Sequence, residues 1–198
     1  MHKTTGLVAA LVALVGLQSA RAETDLDFVI NAQPASILLD TSGDKFSVTG
    51  ADGSKTSLSE VYTMPNIALG VGMPVGDRCY VDLLGGGGVI INDGFRSFML
   101  QILLEGYISV SESLDIGPRV GLVYFPDPEW LENDDIEFDS DTGFLVGVGI
   151  AMGDKIKYLV SVDLIDTSLD VTTNSGTPSD DTFEMTSLAI QFGVRGEF

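Results

Sequence analysis

Over residues 187–198 apolar and polar positions alternate with a period of two. Leu188, Ile190, Phe192, Val194, Gly196 and Phe198 fall on one face; Ser187, Ala189, Gln191, Gly193, Arg195 and Glu197 fall on the other. That period belongs to a β-strand with one apolar face. It recurs in 97–110, where Phe98, Leu100, Ile102 and Leu104 oppose Ser97, Met99, Gln101 and Glu105, and again in 114–125, 143–152 and 156–164. The pattern predicts eight strands, at 24–39, 64–73, 78–91, 96–110, 114–126, 142–152, 155–166 and 183–198, with Pro34 interrupting the first. The connections alternate in kind. Residues 73–77, 111–113 and 153–154 are tight turns, whereas 41–63, 92–95, 127–141 and 167–182 are looser and polar.

The polar face is rich in glycine and carries isolated charges. Glycine is a poor strand former and is out of place on a solvated face. It suits the inside of a narrow closed barrel, where large side chains do not all fit. The apolar face then meets lipid, and strands of about 10–14 residues are long enough to cross a bilayer at a tilt. Only a closed barrel satisfies every backbone group there. The expected fold is all-β: a closed antiparallel up-and-down transmembrane β-barrel of eight strands. A hairpin around Asp52-Gly53, within 45–59, would extend it or raise the count to ten. An even count leaves both termini and the short turns on the periplasmic side.

Composition narrows the function classes. The chain has 198 residues, 29 acidic against 10 basic side chains, and a formal net charge of -19. Phosphate recognition needs a basic patch, so nucleic acid is excluded as a partner. A single cysteine forbids an internal disulfide framework. The N-terminus starts with His2 and Lys3, runs apolar from Gly6 to Leu17 and closes on Ala20-Arg21-Ala22, a small-x-small cleavage site. The apolar run is too short for a membrane anchor. Residues 1–22 are expected to be a cleaved signal peptide and 23–198 the barrel domain.

The signal, the alternation of tight turns with long loops, and the ending SLAIQFGVRGEF with its terminal Phe198 resemble the small eight-stranded outer-membrane barrels of the OmpA/OmpX type and the opacity-like surface proteins. Gly196 departs from the pattern, standing where that family often carries an aromatic residue. The resemblance implies outer-membrane lipid and lipopolysaccharide as surroundings, a monomer, and recognition of the last strand, Phe198 above all, by the barrel assembly machinery.

No catalytic chemistry is expected. The enzymatic barrels of this membrane use histidine as base, and His2, the only histidine, leaves with the signal. Gly85–Gly88 lacks the lysine and helix of a phosphate loop and is expected to narrow the lumen. Cys79 has no neighbour to pair with and is expected to be inert. The segment 126–141 (PDPEWLENDDIEFDSD) is expected to be a solvated acidic outer loop. Within it Asp135, Glu137, Asp139 and Asp141 are weak candidates for a divalent cation, which would also bridge to lipopolysaccharide. Trp130 is expected to anchor at the membrane interface. No cofactor is expected.

Inward positions are odd-numbered in the strands on either side of 111–113. A turn centred on Glu112 sets Glu105 opposite Arg119. The same parity sets Asp82 opposite Gly70, brings Arg195 to Asp25 and Asp27 where the first and last strands close, and brings Lys157 towards Glu197. An unpaired charge in a narrow interior is costly, so these residues are expected to form a paired network that fills the lumen. The resulting expectation is a non-enzymatic barrel with a structural or surface-interaction role. Its rival is a narrow OmpW-like channel for small apolar solutes, lined by Leu84, Leu103, Val123, Leu145 and Leu159.

Overall fold

A computed structural model describes residues 26–41, 47–49, 55–57, 61–126, 128–131, 136–173 and 178–198. The strands are β1 (Asp27–Asp40), β2 (Ser47–Thr49), β3 (Lys55–Ser57), β4 (Val61–Thr63), β5 (Asn66–Pro74), β6 (Cys79–Ile91), β7 (Phe95–Ser111), β8 (Leu114–Phe125), β9 (Glu129–Trp130), β10 (Ile136–Phe138), β11 (Asp141–Gly153), β12 (Ile156–Thr173) and β13 (Pro178–Glu197). Eight of them close a ring in the order β1, β5, β6, β7, β8, β11, β12, β13, every neighbour antiparallel. The barrel therefore has the eight strands that the alternation predicts. The hairpin expected around Asp52-Gly53 has β2 and β3 as its arms; they pair with each other as a separate sheet, so the ring does not grow to ten. Its tip, like the expected signal peptide, lies outside the described residues.

The wall continues upward at the loop end. There β4 takes the place of β5 between β1 and β6, while β9 and β10 take the place of β8 and β11 between β7 and β12. β1 adjusts by a one-residue bulge. Its partners in β13 shift between Ala32 and Ala35, around Pro34. The bulge switches the inward set from Val29, Asn31 and Gln33 to Ser36 and Leu38. A proline that offers no N–H is tolerated at such a bulge.

Outside, the barrel is apolar. Exposed Ile67, Leu69 and Val71 of β5 adjoin Leu83 of β6, followed by Phe98, Leu100, Ile102 and Ile108 of β7. This belt spans nine residues of β12, Ile156–Leu164, and thirteen of β7, Phe98–Val110. At about 3.3 Å per residue and a tilt of about 40°, it is about 20–30 Å tall. Aromatic rings mark its borders: Phe98, Tyr124 and Phe144 towards the loops; Phe28, Tyr158 and Phe198 towards the tight turns. Above Leu164 the outward face of β12 turns polar at Asp166, Ser168 and Asp170.

Candidate functional site: the filled lumen

One ladder of paired residues carries most of the buried charge. Asp27 pairs with Gly72, Gly72 with Asp82, Asp82 with Glu105, Glu105 with Arg119, Arg119 with Gly147, and Gly147 with Asp163. Residues directly opposite each other share a face, so this row points inward across seven strands. The two glycines leave room for the carboxylates beside them. A Cβ on Gly72 would lie 2.5 Å from Asp82 Oδ1, and one on Gly147 would lie 2.1 Å from Asp163 Oδ1.

At the centre Arg119, 1% exposed, donates from Nε to Glu105 Oε1 at 2.7 Å and from Nη1 to Asp163 Oδ2 at 2.6 Å. Arg195 lies below it, with Nη1 2.6 Å from Asp82 Oδ2 and Nε 2.8 Å from Glu197 Oε1. Its guanidinium stands 5.1 and 5.2 Å from the ring centres of Tyr80 and Tyr107. Lys157 at the tight-turn end bridges Asp115 at 2.7 Å and Glu197 at 2.9 Å. Asp115 also accepts from Tyr80 and Ser109.

A belt of amides lies towards the loops. Gln101 donates to Asn66, Asn66 to Gln191, and Gln191 to Asp163; Asn31 donates to Glu105, and Gln33 to Ser161. Beyond the amides the filling is apolar: Leu38, Met64, Ile90, Met99, Val123, Leu145, Ile165, Leu169 and Met185 are all buried. The loop residues Tyr62, Phe95, Trp130 and Phe138 close this tier, with ring centres 5.7–6.1 Å apart. An eight-stranded barrel is just wide enough for side chains to fill it. Here a charged tier and an apolar tier fill it down to a pocket of about 190 Å³ at the tight-turn end, lined by Asp27, Asp82, Arg195 and Glu197.

The structure brings Glu105 to Arg119 and Lys157 to Glu197. Two expected neighbourhoods are corrected. Asp82 stands opposite Gly72 rather than Gly70, because β5 runs on to Pro74 and the turn closes later, with Gly76 at φ 102° and Val75 N–H donating to Cys79 O at 2.7 Å. Arg195 stands opposite Asn31 rather than meeting Asp27, because β1 and β13 close with Val29 against Glu197. Its carboxylates are instead Asp82, Glu105 at 3.6 Å and Glu197. Asp27 faces the open end, and Asp25 lies outside the described residues.

Trp130 is a third correction. It is 3% exposed and stacks on Phe138 inside the loop end, because β9 folds back onto β7 instead of lying along the membrane. Of the cation candidates, Asp141 accepts from Thr167 Oγ1 and from the Ser168 N–H, which commits one of its oxygens, Oδ2. Asp139 is exposed, Glu137 pairs through its backbone with Thr172 and Glu129, and Asp135 lies outside the described residues. Among the described residues no three metal-ligating side chains come together. Asp163, Asp115 and the tyrosines were missed as network members. Asp163 and Asp115 share the inward parity of Lys157 and Arg119, which was the signal for them. Phe198 closes the ring through N–H···O bonds of 2.9 Å in both directions with Phe28, and its ring folds over Gly196. Glycine at 196 therefore makes room for the terminal aromatic.

No protein-family model and no curated protein sequence matches the chain. Solved structures do. The outer membrane protein OprG from Pseudomonas aeruginosa is similar with a TM-score of 0.51 and 16% identity, over 87% of this chain and 95% of that one. The outer membrane protein AlkL, determined by solid-state NMR in DMPC bilayers, is similar with a TM-score of 0.56 and 13% identity, over 91% and 93%. The likeness is one of fold, and it is the fold of an outer-membrane β-barrel; it does not extend to the narrower OmpA/OmpX-type grouping. A closed barrel with a complete apolar girdle belongs in a bilayer, and barrels of this build are those of the bacterial outer membrane.

Proposed function

We propose that this chain is a non-enzymatic outer-membrane barrel whose lumen is a stopper rather than a path, and whose role is structural or is exercised through its outer loops. The observation that supports this reading is the two-tier filling. A solute entering from the loops meets the packed Tyr62, Phe95, Trp130 and Phe138, and one entering from the turns meets the ion-paired Arg195 and Arg119. The outer rim is acidic, with Asp93, Asp139, Asp166 and Asp170 exposed. Arg96, at the rim, is paired with Glu129. Contact between this rim and anionic lipopolysaccharide requires divalent cations as intermediaries. Planar-bilayer recording on the purified protein tests the stopper. Closed traces across the usual voltage range are expected. A steady, large conductance overturns the reading and favours the narrow channel, with Leu84, Leu103, Val123, Leu145 and Leu159 as its wall.

A further inference from the structure

Two aromatic rings stand between the tight-turn pocket and the central ion pair. Tyr80 borders the pocket, and Tyr107, 1% exposed, stacks behind it with ring centres 5.1 Å apart and planes 22° apart. The Tyr80 hydroxyl donates to Asp115 Oδ2 at 3.0 Å. Tyr107 is held less firmly. Its hydroxyl donates at 3.3 Å to Glu105 Oε2, an oxygen that already accepts from Asn31 at 3.0 Å. The far end of its ring rests on bare backbone, since a Cβ on Gly149 would lie 2.6 Å from the hydroxyl and 3.2 Å from Cζ. Gly149 has an ordinary backbone conformation, so its missing side chain serves the space alone. At the base of Tyr107 the β7–β8 ladder skips two pairs. Glu105–Arg119 and Ile108–Ile116 are in place, but Gly106–Pro118 and Tyr107–Gly117 are not, and Pro118 has no N–H to give. The Gly106 carbonyl leans over Gly117 instead, where any Cβ would collide with it.

We propose that Tyr107 is a shutter between the pocket and the charged tier: a side chain that leaves its seat over Gly149 while the strands around it stay paired, and so lets water from the tight-turn end reach Glu105 and Arg119. The seat is backbone rather than interlocked side chains, so the ring leaves it without displacing a neighbour. One long hydrogen bond is all that ties the hydroxyl, and the skipped pairs leave the backbone at its base room to adjust. Arg119, by contrast, is fixed by two charge-assisted bonds of 2.6 and 2.7 Å, so the tier stays assembled when the ring moves. Entering water also finds acceptors. Asp82 stands opposite Glu105, and neither of its oxygens accepts a hydrogen bond, although Arg195 Nη1 lies 2.6 Å from one of them. Such a shutter works in a closed barrel and in a conducting one alike.

The test is hydrogen exchange of the Arg119 Nε–H, followed by solution NMR on the full barrel in micelles with urea added below the unfolding transition. Exchange through a shutter is expected to be insensitive to urea, because lifting one ring exposes little surface, whereas exchange through unfolding of the barrel rises steeply with urea. Tyr107→Ala is expected to speed exchange about tenfold or more. Tyr107→Phe keeps the ring, loses only the long hydroxyl bond, and is expected to speed it about threefold. Leu103→Ala empties a buried position on the same strand, on the side of Glu105 away from the pocket, and is expected to leave exchange unchanged. Gly149→Ala pushes the ring off its seat with Tyr107 intact; it is expected to act like Tyr107→Ala and decides the matter if Tyr107→Ala fails to fold. Wild-type exchange that follows the full urea slope of unfolding, or equal acceleration in Leu103→Ala and in the variant that unseats the ring, overturns the proposal.

Discussion

Replacing Arg119 by alanine removes the one side chain that touches both central carboxylates. Two charge-assisted hydrogen bonds of 2.6 and 2.7 Å disappear, each worth about 1.5–3 kcal/mol to a charged group. Glu105 keeps Asn31 at 3.0 Å, Tyr107 at 3.3 Å and the more distant Arg195. Asp163 keeps Ser161 and Gln191, both at 3.0 Å, and these donors carry no charge. Breaking a buried pair from one side costs about 3–5 kcal/mol, and the surviving donors keep the expected loss near the lower end. The assay is reversible urea unfolding in detergent micelles or thin liposomes, comparing midpoints at an unchanged slope. Asp163 is the less well compensated of the two carboxylates. Arg119→Ala/Asp163→Asn should therefore recover about 1–2 kcal/mol, and more than Arg119→Ala/Glu105→Gln. Arg119→Ala unfolding within about 1 kcal/mol of wild type would refute the view that this tier is dry and tightly paired.

Other outcomes follow from the same geometry. Deleting Phe198, whose ring points outward and is 72% exposed, should lower outer-membrane levels in cells while leaving folding in detergent intact, since burying one aromatic is worth at most about 1.5–3 kcal/mol; equal cellular levels would count against an assembly role. Trp130, the single tryptophan, should emit at short wavelength and resist quenching both by acrylamide and by spin-labelled lipid, whereas an interface anchor would be quenched by the lipid label. Intact mass of the exported protein should correspond to a start at Glu23, and a species retaining residues 1–22 would contradict the cleavage site.

Much of the barrel was legible in the chain because its determinants are local. A period of two depends on neighbouring residues, so all eight strands and the inward or outward sense of nearly every side chain could be read directly. Glu105 and Arg119 could be matched because a turn of three residues sets the register between them, and Lys157 and Glu197 because they sit at the same end of adjacent strands. Gly196 looked like a departure only because the ring of Phe198 that covers it is not visible in a linear pattern. Three matters were decided by the tertiary structure alone. The closing register of β1 on β13 depends on the shear of the whole ring and on the bulge at Pro34, so Arg195 passes Asp27 and meets Asn31. The contacts of Arg119 with Asp163, over Gly147, and of Arg195 with Asp82 join strands that are not neighbours, where no spacing along the chain records the distance. Trp130 was drawn inward because β9 and β10 complete the wall above β8 and β11, and a loop that pairs with the barrel buries its aromatic residues where a free loop would leave them at the membrane surface.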